Sequence, residues 1–101
     1  METLHSATTT GNGTVITPPL SYSRHIVILV GSSGISAGKV KVECAAASDY
    51  AGTWALIGSE QTLVASTTLA VSFTGIYPNI RARISTTVEG GTLTAYYFGA
   101  P

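Results

Sequence analysis

From residue 24 onward, apolar and polar residues alternate with a period of two in one segment after another, and that period belongs to strands. Val40, Val42, Cys44 and Ala46 alternate with Lys41, Glu43 and Ala45. Leu69, Val71 and Phe73 alternate with Ala70 and Ser72, and Ile80, Ala82 and Ile84 with Arg81, Arg83 and Ser85. Successive side chains of a strand point to opposite faces, so the first group of each set is expected inward and the second outward. No segment repeats apolar residues at spacings of three and four over two turns, so no helix is expected. Turn clusters punctuate the series: Gly31-Ser32-Ser33-Gly34, Ser48-Asp49-Tyr50-Ala51-Gly52, the Gly75 and Pro78 loop, and the hairpin signal Glu89-Gly90-Gly91. Residues 24–30 form a continuous β-branched run, the pattern of a strand covered on both faces. Residues 53–57, which carry Trp54, and residues 92–98 complete the set. About six to eight short strands with turns roughly every 8–12 residues predict an all-β domain: a single antiparallel β-sandwich of jelly-roll or Ig-like type.

Residues 1–23 read differently. Thr8-Thr9-Thr10, Gly11-Asn12-Gly13 and Pro18-Pro19 favour extended backbone, with a peripheral strand around Val15 and Ile16. The expectation is an extended N-terminal arm over 1–23, dispensable for folding, attached to a sandwich domain over 24–101. Met1 to His5 lacks a basic stretch followed by an apolar one, so no secretory signal is expected. The longest apolar run is far short of the about 20 residues of a membrane helix.

The surface chemistry is unusual. Five basic and five acidic residues cancel, and only 10% of the chain is charged, whereas 45% is hydrophobic. A typical soluble domain has about 25% charged residues. The exterior must therefore be built from Thr, Ser, Ala and Gly, which is cheap to desolvate against a partner. Without a basic patch, nucleic acid is not an expected partner.

Tests for chemistry return little. Gly38-Lys39 lacks the upstream glycine and the following Ser or Thr of a phosphate-binding loop. Cys44 is the only cysteine, which rules out an internal disulfide and, with only His5 and His25 as further soft ligands, supplies no zinc set. A Cys44–His25 dyad and a carboxylate pair drawn from Glu2, Glu43, Asp49, Glu60 and Glu89 have no supporting pattern. Asn12-Gly13-Thr14 fits a glycosylation acceptor but reads as a turn. No catalytic residue, metal or cofactor is expected.

Contact residues are better candidates. Adjacent Tyr96 and Tyr97 must face opposite ways in a strand, so one is available to another subunit. Arg81 and Arg83 share a face and form either a docking stripe or, beside Lys41 and Glu43, cross-strand ion pairs. With Val15, Ile16, Pro18, Pro19 and Tyr22 of the arm, these are the candidate interface. A rival use of the aromatics is a carbohydrate platform of Asp49, Tyr50, Trp54 and Tyr77.

An ordered series of motifs carries a resemblance. Val40-Lys41-Val42-Glu43 leads to Ser48-Asp49, then Gly52-Thr53-Trp54, then residues 77–85 (Tyr-Pro-Asn-Ile-Arg-Ala-Arg-Ile-Ser), then Gly90-Gly91 and a final strand through Tyr96. Over residues 26–98 this resembles the small β-sandwich virion proteins of tailed bacteriophages. Cys44-Ala45-Ala46-Ala47 departs from the Gly and Ser more usual there. The resemblance implies a non-enzymatic virion protein. A capsid decoration (cement) protein bound to the major capsid protein as a trimer or ring is the first expectation. A neck, tail or fibre component is the second.

Overall fold

The central strand of the first sheet pairs along its whole length on both sides. In the computed structural model, which describes residues 1–101, Arg24–Gly31 (β2) lies antiparallel to Leu93–Ala100 (β8) and to Thr68–Thr74 (β6). Glu2–Thr8 (β1) adds to the far side of β8, giving the order β1-β8-β2-β6. The second sheet is built on Ala37–Cys44 (β3). Ile80–Glu89 (β7) pairs with one of its edges, and the two-residue strands Ala55–Leu56 (β4) and Gln61–Thr62 (β5) with the other. All pairings are antiparallel, and the chain has no helix.

The core lies between the sheets. Leu4, Val27, Leu29, Val71, Leu93, Ala95 and Tyr97 come from the first sheet, and Val40, Val42, Ile80, Ala82, Ile84 and Val88 from the second. Period-two alternation is what delivers these side chains to one side. Ile16, Ile35, Ile57 and Leu63, from connecting segments, close the ends. Ala46, expected inward, falls beyond the end of β3 and is exposed.

The connections use glycine where the backbone demands it. Gly90, between β7 and β8, has φ +79°, and a Cβ there would collide with the carbonyl oxygen of Gly34. The Gly31–Gly34 turn and the Glu89–Gly91 hairpin thus pack backbone to backbone, tied by Ser36 N–H donating to Glu89 O at 2.8 Å and Thr92 N–H to Ser32 Oγ at 2.9 Å.

The first 23 residues do not project as an arm. Leu4 and His5 are buried in β1, and the following segment runs down the outer edge of β7. Val88 N–H donates to Thr9 O at 2.9 Å and Ile84 N–H to Gly11 O at 3.0 Å, while Ile16 and Ile80 exchange two bonds of 2.9 Å each. The expected strand at Val15 and Ile16 is this single bridge. The physical reason is the edge of β7: its donors and acceptors need partners, and residues 9–16 supply them.

Candidate assembly surfaces

Strand β2 was expected to be covered on both faces, and within one copy of the chain only one face is. His25, Val27 and Leu29 point inward and are buried, whereas Ile26, Ile28 and Val30 point outward and are half-buried. The register sets Ile26 opposite Phe98 and Ile28 opposite Tyr96, so five large apolar side chains form one contiguous outer patch. Phe98 is 42% exposed. Thr3, Thr68, Ala70, Ser72, Thr74 and Thr94 surround the patch on the same face. The one charged residue of this face is Arg24, at its end, where Nε donates to Pro101 O at 2.9 Å. A sheet with one face in water ordinarily carries polar residues there, and a contiguous apolar patch marks a contact surface.

A second surface is a groove of about 410 Å³ beside β1. Val15, Ile16, Pro18, Pro19, Tyr22 and Tyr97 all line it, as does Glu2. The structure thus brings together six of the nine candidate interface residues. Ile16 and Pro18 are buried, Val15 and Tyr22 half-buried and Pro19 exposed. Tyr97 is the inward member of its pair and belongs to the core; Tyr96 is the outward one and sits in the apolar patch.

The arginines are not a free docking stripe. β3 and β7 are neighbours, with Glu43 opposite Arg81 and Lys41 opposite Arg83. Glu43 does lie on the outward face, yet it is only 3% exposed. Its Oε1 accepts from Arg81 Nε and Arg83 Nε at 3.0 Å each, and its Oε2 from Arg83 Nη2 at 3.1 Å. The hydrogen bond to Glu43 holds the Arg83 guanidinium above its ordinary value, against some desolvation. Arg81 also lies 4.1 Å above the ring of Trp54, whose Nε1 donates to Tyr50 O at 2.9 Å. Both cations are committed within the chain.

The four residues of the carbohydrate platform do not share a surface. Trp54 is 3% exposed, and Arg81 covers its ring. Asp49 and Tyr50 are exposed in the loop after β3, with Tyr50 folded over Gly52. Tyr77 belongs to another cluster, packed edge-on against Phe73 at 4.9 Å and His25 at 5.5 Å.

Two buried histidines were not recognised from sequence as structural. Tyr97 O–H donates to His25 Nδ1 at 2.6 Å, and His25 Nε2–H donates to Gly75 O at 2.8 Å. Burial pushes the Tyr97 phenol up, with Tyr22 adding to the shift. Both ring nitrogens being occupied, His25 has none left to pair with Cys44. Burial, and then the neighbouring Glu43 charge, raise the Cys44 thiol above its ordinary value. His5 Nε2–H donates to the carbonyl of Ala82, and Thr8 O–H donates to its Nδ1 at 2.7 Å. Burial lowers its pKa, opposed by the bond to Ala82. The partners of His25 are 50 and 72 residues away and Ala82 is 77 from His5, so local pattern carries no signal of them. No group of three His, Cys, Asp or Glu residues is placed to hold a metal ion.

No protein-family model, curated protein or solved structure matches the chain.

Proposed function

We propose that this is a non-enzymatic bacteriophage virion protein, a β-sandwich that decorates the capsid and binds the major capsid protein. The observation that carries the proposal is the apolar outer face of the β1-β8-β2-β6 sheet, with Ile26, Ile28, Val30, Tyr96 and Phe98 contiguous and Arg24 its one charge. Such a face is ill suited to water and well suited to a second protein layer. The motif series supports the virion assignment. Its elements fall on β3, the loop to Trp54, β7, the Gly-Gly hairpin and β8, in the order that resembles phage sandwich proteins. The work of such a protein is mechanical: binding only the assembled shell stabilises it by mass action.

The test is co-sedimentation of the purified protein with phage heads, wild type against Phe98→Lys. Phe98 is exposed, so the variant should fold with unchanged melting, while affinity for heads should drop about tenfold or more. Heads that bind both proteins equally, or neither, would refute the decoration role. Copy number per particle separates decoration from a neck, tail or fibre position, since a shell surface holds far more copies than a connector.

A further inference from the structure

We infer that β6 is a dimerisation edge, pairing antiparallel with β6 of a second copy so that two four-stranded sheets become one. Of the sheet edges in this fold, β6 alone is left open and regular. The edge of β7 is covered by residues 9–16. Strands β4 and β5 have two residues each. Strand β1 is broken by register shifts on both sides of His5, and its Ala7 sits at φ +51°. Short strands, irregular pairing and covering segments are the ways proteins blunt an edge. Thr68–Thr74 has none of them. It pairs with β2 over seven consecutive residues without a bulge, and no backbone bond links it to any other element. Its sequence, Thr-Leu-Ala-Val-Ser-Phe-Thr, has neither a charge nor a proline.

The strand is complementary to itself. A two-fold axis at Val71 sets Thr68 against Thr74, Leu69 against Phe73 and Ala70 against Ser72 of the other copy. Inward residues then meet inward residues, and outward ones meet outward ones. Leu69 and Phe73 pack against the core yet stay half-buried: Tyr77 meets the Phe73 ring edge-on, but no strand flanks β6 on this side. The second copy supplies the missing flank: each Leu69 is covered by a Phe73. Aliphatic–aromatic and Thr–Thr pairs are favourable across an antiparallel ladder, and with no charge on the strand no like charges are opposed. The outer face of the second sheet carries Lys39, Lys41, Glu43, Arg81 and Arg83 and so does not match this uncharged strand. Main-chain bonds give such an added strand its affinity, and the alternate side chains give it register.

The experiment is sedimentation velocity on the purified chain, wild type against Ala70→Lys/Ser72→Lys and Phe98→Lys. Positions 70 and 72 are exposed, and the two-fold sets each new lysine opposite another. Wild type is expected to dimerise, the double lysine variant to be monomeric with an unchanged circular dichroism spectrum, and Phe98→Lys, on the same face two strands away, to remain a dimer. Register is read separately in a Cys44→Ser background. A mixture of Ala70→Cys and Ser72→Cys chains should form disulfide dimers under mild oxidation, and Ala70→Cys alone should form far fewer. This cross-link decides the matter if the lysine variant misfolds. A wild-type chain that stays monomeric even at about 1 mM overturns the inference. So does an assembly of any size that survives both lysines, loss of the dimer in Phe98→Lys, or cross-linking without preference for the 70–72 pair. Capsid binding plays no part in these readouts, so the decoration role and the dimer edge fail independently.

Discussion

Arg83 grips Glu43 at two points, Nε to Oε1 at 3.0 Å and Nη2 to Oε2 at 3.1 Å, across neighbouring strands of the second sheet. Arg81 reaches the same carboxylate at 3.0 Å while lying over Trp54. One buried anion thus holds two cations and, through Arg81, an indole. Period-two alternation places Glu43 on the outward face, opposite Val40 and Val42. Its burial was not visible, because the covering residues come from 38 and 40 positions further along.

Glu43→Gln should therefore be among the more costly single changes on this face. Removing one partner of a fully buried ion pair costs about 3–5 kcal/mol. The Arg83 side chain is 31% exposed and keeps part of its hydration, so about 2 kcal/mol is expected. Urea denaturation would show the midpoint falling at unchanged slope. An unaltered midpoint would mean that the cluster contributes nothing net.

Tyr97→Phe removes the hydroxyl that donates to His25 Nδ1 and leaves that nitrogen buried without a partner. A buried polar group stripped of its hydrogen bond costs about 1–3 kcal/mol. Thermal melts of the variant should show that loss. The double variant Tyr97→Phe/His25→Phe should cost less than the sum of the singles, because the unmet nitrogen goes with the ring.

His5 makes stability depend on pH in a definite direction. Burial holds its folded-state pKa below the ordinary 6.5, so on acidification the unfolded chain takes up the proton first. The stabilising contribution is complete above about pH 6.5 and is lost as pH falls from there through the lowered folded value. Urea midpoints at pH 7.5 and 5.5 should drop more for wild type than for His5→Gln. Equal drops in the two proteins would show that His5 is not the group responsible.

Deleting residues 1–16 tests the closing role of the N-terminal segment. An arm would be lost without consequence for folding. Here the deletion strips β1 from β8, uncovers the edge of β7 and removes buried Leu4, His5 and Ile16. The truncated chain should lose its cooperative thermal transition or melt far below the intact protein. Retention of the full-length melting profile would restore the view of a detachable arm.

Six strands were legible in the sequence. The alternating sets at residues 40–44, 69–73 and 80–84, the β-branched run at 24–30, the Trp54 segment at 53–57 and the aromatic segment at 92–98 each coincide with a strand or contain one. Each carries enough large apolar residues for its period to be read. Strand β1 was missed because Glu-Thr-Leu-His-Ser-Ala-Thr offers one large apolar side chain, too few to define a period. Strand β5 has two residues and pairs only because β3 offers an edge there. Among the contact candidates, the groove formed by Val15, Ile16, Pro18, Pro19, Tyr22 and Tyr97 was assembled from residues chosen one by one. The outer apolar patch was signalled in the sequence by the run without polar alternation at 24–30 and by the Tyr96-Tyr97 pair, one of which had to face outward.

What the sequence alone determined was the local order: strands rather than helices, where they turn, and which side chains share a face. Period and turn chemistry act over a few residues and need no knowledge of neighbours. Tertiary structure alone decided which strands became neighbours, and with that the fate of each polar group. Glu43 was buried by its arginines, His5 and His25 were locked by distant carbonyls, and β6 was left without a flank. Those outcomes depend on hydrogen-bond partners and covering surface contributed from tens of residues away, which no local pattern encodes.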